Sequence, residues 1–246
     1  MDPQSPSTAP EIARAFSAIP RVFTAPGSVA ADIKAGLAWW PGLVVLIVLT
    51  LLAGILLYPL QRDLMILDVG SGQMEGAQLD EGGGLPAPLR WSLIGGTIGG
   101  PLLGLPAVLL IVSFFYWLAL MITFGGAPYR RLFTLTTYTS FIGIAYQLIN
   151  TLYLRFAGLE LNSMKDLQSS SLEFSLGALV SGEGFLANFL DQIGVFPLWT
   201  LWVFIGGAAL LMERRRSAVT PPIVVVFLIG SVVAAFFTTL GSRFGG

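Results

Sequence analysis

Two arginines, Arg130 and Arg131, stand directly before LFTLTTYTSFIGIAYQLIN, a run that carries no charge yet is dense in hydroxyls and ends in two amides. Such side chains both donate and accept hydrogen bonds, so the run can knit helices together, line a polar route, or offer a nucleophile. The last needs partners that are missing. With no histidine and no cysteine in the chain, an imidazole triad, thiolate chemistry, disulfides and the usual zinc and haem sites are excluded. An aspartyl dyad within the membrane lacks its carboxylates. Asp80 and Glu81 sit among glycines without a ligand spacing, and GSGQMEG lacks the Lys-Ser/Thr pair of a phosphate loop. The expectation is therefore no catalytic residue, no cofactor and no metal.

Placed on a helix at about 100° per residue, Thr136, Thr139, Ser140, Gly143, Gln147 and Asn150 share a sector about 100° wide. Phe141, Ile144, Leu148 and Ile149 fall elsewhere, so one face can meet protein while the others meet lipid. Helices in lipid associate through close packing and shared hydrogen bonds, each worth about 0.6 kcal/mol. A packed seam is the leading reading of the stripe, and a solute or lipid groove is the alternative. The run GGTIGGPLLGLP offers a matching surface, with Gly96, Gly100 and Gly104 spaced four apart as helix-packing glycines and Pro101 and Pro106 bending the helix.

Composition says what must position these groups. Of 246 residues, 54% are hydrophobic and 11% charged, and the mean hydropathy is +0.78, which points to a polytopic membrane protein. A hydrocarbon layer of about 30 Å needs about 20 apolar residues in a helix. No Asp, Glu, Lys or Arg lies between Lys34 and Arg62, Arg90 and Arg130, Arg131 and Arg155, Asp191 and Glu213, or Arg216 and Arg243. These intervals predict an all-α bundle of five transmembrane helices near 39–60, 99–123, 135–154, 193–212 and 221–240.

Charge also predicts orientation. Arg14, Arg21 and Lys34 precede the first span; Arg130 and Arg131 fill the second connection, and Arg214, Arg215 and Arg216 the fourth. By the positive-inside rule these are cytoplasmic anchors. The two longer connections, Gln61–Arg90 and Arg155–Gln192, then lie on the non-cytoplasmic side, with a cytoplasmic N-terminus and a non-cytoplasmic C-terminus. Residues 1–20 read as a flexible segment: Met1–Pro10 is rich in Pro and Ser, after which Ile12, Phe16, Ile19 and Phe23 recur as one face of an interfacial helix interrupted by Pro20. In the second outer loop, Leu172, Leu176, Leu179 and Val180, then Phe185, Phe189 and Leu190, suggest short amphipathic helices, and Asp191 opens the fourth span. A net charge of −1 predicts no nucleic-acid partner. The expected partners are membrane lipids and other membrane proteins or further copies of the chain.

Three stretches together are similar to the Yip family, the Ypt/Rab-interacting membrane proteins, particularly its shorter prokaryotic branch. They are RVFTAPGSVAADIKAGLAWWPGLVVLIVL, with its Phe-x-x-Pro approach to the first span; GGAPYRRLFTLTTYTSFIGIAYQLI, a Gly-rich basic turn before a polar span with Tyr138 central; and LDQIGVFPLWTLWVFIGGAALLMERRRSAV, with Leu-Asp, Phe, Trp, a Gly pair and a basic exit. The resemblance implies a five-span domain over 21–240 in a prokaryotic cytoplasmic membrane, acting through proteins or lipids rather than by catalysis. The eukaryotic Asp-Leu-Tyr-Gly-Pro motif is absent, and no binding residue is carried over. A non-enzymatic scaffold or adaptor for membrane organisation or trafficking-like processes is the leading expectation. A channel, lipid translocator or transporter subunit using the polar face of the third span is the alternative, although no charge within the spans marks an ion route.

Overall fold

The computed structural model describes residues 8–74, 76–126, 128–180 and 184–244, and among these every extended element is helical. In chain order they are α1 (Thr8–Thr24), α2 (Pro26–Lys34), α3 (Trp40–Gly70), α4 (Ala87–Ile94), a π-helical stretch (Gly95–Gly104), α5 (Leu105–Phe124) and α6 (Tyr129–Phe156). Then come α7 (Met164–Ser169), a 3-10 turn (Gly177–Leu179), α8 (Phe185–Asp191), α9 (Val195–Leu211) and α10 (Arg216–Phe244).

Among the described residues four helices are long and apolar enough to cross a membrane: α3, the continuous Ala87–Phe124 rod, α6 and α10. The fifth expected span, α9, is apolar but has only 17 residues, a length of about 25 Å. The others overrun their expected limits. α3 continues past Leu60 through Arg62 and Asp63 to Gly70, the second rod starts at Ala87 rather than Gly99, and α6 takes Arg130 and Arg131 into its first turn. A charge marks where hydrocarbon gives way to headgroups, not where intrahelical hydrogen bonding stops, so the expected spans are shorter than these four helices. In the second rod Pro101 has no N–H to donate, and the surrounding glycines let the backbone take the wider π winding.

α6 is the central post. It packs against α1, α2, α3, α5 and α9, and 61% of its most apolar window is buried, against 11–17% for the other three long helices. Its fully buried Tyr138, Phe141 and Ile142 join Leu46 of α3, Leu120 of α5 and Phe204 and Ala208 of α9 in one core.

α1 and α2 belong to that core. Ala15, Ala18 and Val22 of α1 and Val29 and Ile33 of α2 are buried. α1 runs through Pro20 without a break; of its expected face, Ile19 and Phe23 pack against the core, the Phe23 ring 5.8 Å from that of Trp199, whereas Phe16 is 53% exposed. Alanines dock because they let two helix axes approach closely, a signal that counting large apolar residues misses. The expected disordered leader falls largely on residues 1–7, which lie outside the described residues. Of the outer-loop helices, the structure keeps α8 and the 3-10 turn and adds α7, capped by the Ser163 hydroxyl accepting from the Asp166 N–H at 3.0 Å.

Contacts bring the basic segments to one end. Lys34 Nζ bonds Glu213 Oε1 at 2.6 Å, and the Arg214 guanidinium lies 5.7 Å from the Phe124 ring centre. This bond and the Lys34 charge hold the Glu213 carboxyl below the usual carboxylate range. A depressed folded-state pKa means that the pair stabilises the fold above the ordinary carboxylate pKa and stops doing so as pH falls through the lower folded value. Glu213→Gln should therefore lower the thermal midpoint slightly at pH 7, and that difference from the wild type should vanish in an acid titration followed by melting in detergent.

Candidate functional site

The hydroxyl stripe of α6 does not form the cross-helix hydrogen bonds expected of it. Thr136 Oγ1 donates to Leu132 O at 3.0 Å, and Thr139 Oγ1 and Ser140 Oγ both donate to Thr136 O, at 3.1 and 2.8 Å. A hydroxyl can close on the carbonyl of its own preceding turn, and in a low-dielectric surrounding that local bond is always within reach. Each oxygen keeps lone pairs for an acceptor role. Tyrosine and asparagine carry the bonds between elements. Tyr138 OH donates to Ala38 O at 3.1 Å, Tyr146 OH to Leu172 O at 2.7 Å, and Asn150 Oδ1 accepts from the Leu172 N–H at 2.8 Å.

The stripe also divides. Thr136, Thr139, Ser140 and Gly143 line a groove of about 590 Å³ between α5, α6, α9 and α10. Val108 and Val112 of α5, Leu201 and Phe204 of α9 and Phe227 of α10 form its apolar walls. Gln147 faces a second cavity of about 500 Å³, shared with Gly96 and Gly100 of the π stretch and with Thr50 and Gln61 of α3. Asn150 lies in neither, being engaged with the outer loop. Replacing Asn150 by Leu should destabilise by about 1 kcal/mol because the Leu172 N–H loses its acceptor. Gln147→Leu, on an exposed side chain, should stay within about 0.5 kcal/mol. Denaturation of the two single variants in mild detergent separates these effects.

The expected Gly96–Gly100–Gly104 seam is not a contact within the described chain: a methyl group at any of the three would meet nothing within 4 Å. The close approach between α3 and the π stretch is made instead by Gly54, where a methyl would come within 3.2 Å of Thr97 Cγ2. On α9, Gly207 abuts Leu135 and Gly206 abuts Arg216. Among the basic residues, Arg130, Arg131, Arg214, Arg215 and Arg216 all lie exposed at the α1–α2 end, with the Arg216 guanidinium 5.4 Å from the Trp202 ring centre.

The residues missed from the sequence are at the opposite end of the groove. Asp191 ends α8 rather than opening the next helix, and its Oδ1 accepts from Ser175 Oγ at 2.9 Å. Ser175 and Gly194 form an antiparallel bridge, flanked by Leu176 N–H to Ile193 O and Val195 N–H to Phe174 O, both at 2.9 Å. This pleat carries Glu173 and Asp191 to the groove mouth beside Tyr146 and Phe196. The sixteen-residue separation of Ser175 and Asp191 gave no local pattern to read. Among the described residues no group of three or more acids is placed to hold a metal.

A model of the Yip1 domain matches residues 21–237. The chain belongs to the Yip1 domain family. The match opens at Arg21 in the last turn of α1 and closes at Phe237 in α10, so α2, the central post and the groove lie within the Yip1 domain, while most of α1 precedes it. The apolar helices and the family together make it an integral membrane protein. No curated protein and no solved structure matches the chain.

Proposed function

We propose that this Yip1-domain protein is a non-enzymatic membrane scaffold that presents a rigid basic platform to cytoplasmic partners, with α9 as a fifth crossing. The observation that carries the reading is the docking of α1 and α2 into the bundle core through Ala15, Ala18, Val22, Val29 and Ile33. A surface built into the core is pre-organised, which lowers the ordering cost of binding another protein. Arg130 and Arg131 are exposed beside it. The five-crossing count is supported by α9 running from the Ser175–Gly194 bridge to Glu213 beside Lys34, and the short helix is accommodated by local thinning of the bilayer.

The absence of cysteine makes a labelling test direct. Ser17→Cys should resist an impermeant maleimide on intact cells, whereas Ser169→Cys and Gly241→Cys should react. Equal labelling of Ser17→Cys and Gly241→Cys would leave an even number of crossings. Photo-crosslinking from Arg130 in native membranes should capture a protein partner, and a capture pattern unchanged by Arg131→Glu would remove the platform from the mechanism. A second reading, a lipid translocator, is favoured by the four stripe residues that line the groove. Lipid flux in vesicles that Ser140→Leu abolishes would favour it over the scaffold.

A further inference from the structure

We infer that the groove between α5, α6, α9 and α10 holds one chain of a bilayer lipid whose headgroup ends in an ammonium, with Glu173 and Asp191 receiving that group. The volume of about 590 Å³ falls within the range of small-ligand sites, about 300–1,000 Å³, and the lining has their usual make-up of apolar walls with a few convergent polar groups. Val108, on the α5 wall, is 55% exposed, so the cleft opens sideways to the medium around the bundle. In a bilayer that medium is acyl chain, and the apolar length of the groove fills with it. Gly143 has nothing within 4 Å of a would-be side chain, which keeps the middle of the groove wide.

The mouth selects the headgroup. Leu172 is tied to α6 through Tyr146 and Asn150, and Ser175 is bridged to Gly194 at the start of α9. Glu173, between these two fastenings, therefore stands on a braced segment. Asp191 has one oxygen engaged by Ser175, leaving the other to accept. Among the described residues neither carboxylate forms an ion pair. Two negative charges without an ion pair among the described residues, at the end of an apolar cleft, repel an anionic headgroup and offer charge-assisted acceptors to an ammonium with three donors. The inference stands apart from the scaffold reading, because a protein that retains lipid and captures no partner would sustain the one and sink the other.

The test is lipid competition read by native mass spectrometry. Full-length protein is reconstituted with equal amounts of phosphatidylethanolamine and phosphatidylglycerol of identical chains, then released into mild detergent. Wild type should retain the ethanolamine lipid about tenfold over the glycerol lipid. Glu173→Gln combined with Asp191→Asn should bring the two to parity. Glu173→Gln alone, on an exposed side chain, should lower the preference severalfold and keeps the test available if the double variant does not fold. Gly143→Leu should lose both lipids while melting at the wild-type temperature. Equal retention of the two lipids by wild type, or undiminished retention by folded Gly143→Leu, would overturn the assignment.

Discussion

Tyr138→Ala is expected to cost about 3–5 kcal/mol, the range for emptying a buried aromatic site. The ring is fully buried on the central post. It lies so close to α3 that a methyl group on Gly42 would come within 3.1 Å of it, and its centre is 6.2 Å from that of Phe141. Truncation removes this volume and also deprives the buried Ala38 carbonyl of its donor at 3.1 Å. Tyr138→Phe keeps the ring and isolates the hydrogen bond, at about 1 kcal/mol. Ala38 lies between α2 and α3, so the alanine variant should also expose the docked N-terminal helices to protease. Melting in detergent with limited proteolysis reads both effects; a wild-type midpoint would remove Tyr138 from the centre of the fold.

Gly207→Ala should destabilise by about 1–3 kcal/mol, the usual cost of overpacking. A Cβ there would stand 2.5 Å from Leu135 Cδ1 and 3.0 Å from Cδ2, and Leu135 is itself buried. The neighbouring Gly206→Ala meets the end of the Arg216 side chain at 3.1 Å, a flexible group at the surface, and should cost less than about 1 kcal/mol. Adding Leu135→Ala to Gly207→Ala should recover part of the loss. A double-mutant cycle measures that coupling, and strict additivity would mean that the two residues do not share a seam.

The four long helices and their order were legible because lipid forces every backbone group into a local hydrogen bond, so composition and charge spacing reveal them. The stripe was legible as an angle but not as an environment. Gln147 shares the sector of Thr136 and Ser140, yet it meets the π stretch while they meet α5 and α9, because the neighbours of a long helix change along its length. The hydroxyls also had two possible acceptors, another helix or their own, and only the packed structure shows that the nearer one is used. Asp191 was read as a helix start rather than as a companion of Glu173 for a different reason: the pleat that unites them pairs residues far apart in sequence. The α1 face was half legible: Ile19 and Phe23 do pack against the core, but Phe16 does not, and the fully buried contacts are made by Ala15, Ala18 and Val22.

The post around which everything packs has the lowest mean hydropathy of the four long helices, 1.2 against 2.4–2.8. Polar side chains lower a helix's gain on leaving the translocon for lipid, so this segment gains least by partitioning alone. Two of the three greasier rods, both of which it touches, precede it in the chain, so partners for its polar face are made before it is. Membrane insertion and tertiary packing are thus coupled more tightly at this helix than at the others, and moving its coding segment ahead of theirs should lower the fraction inserted, as read by glycosylation mapping in microsomes.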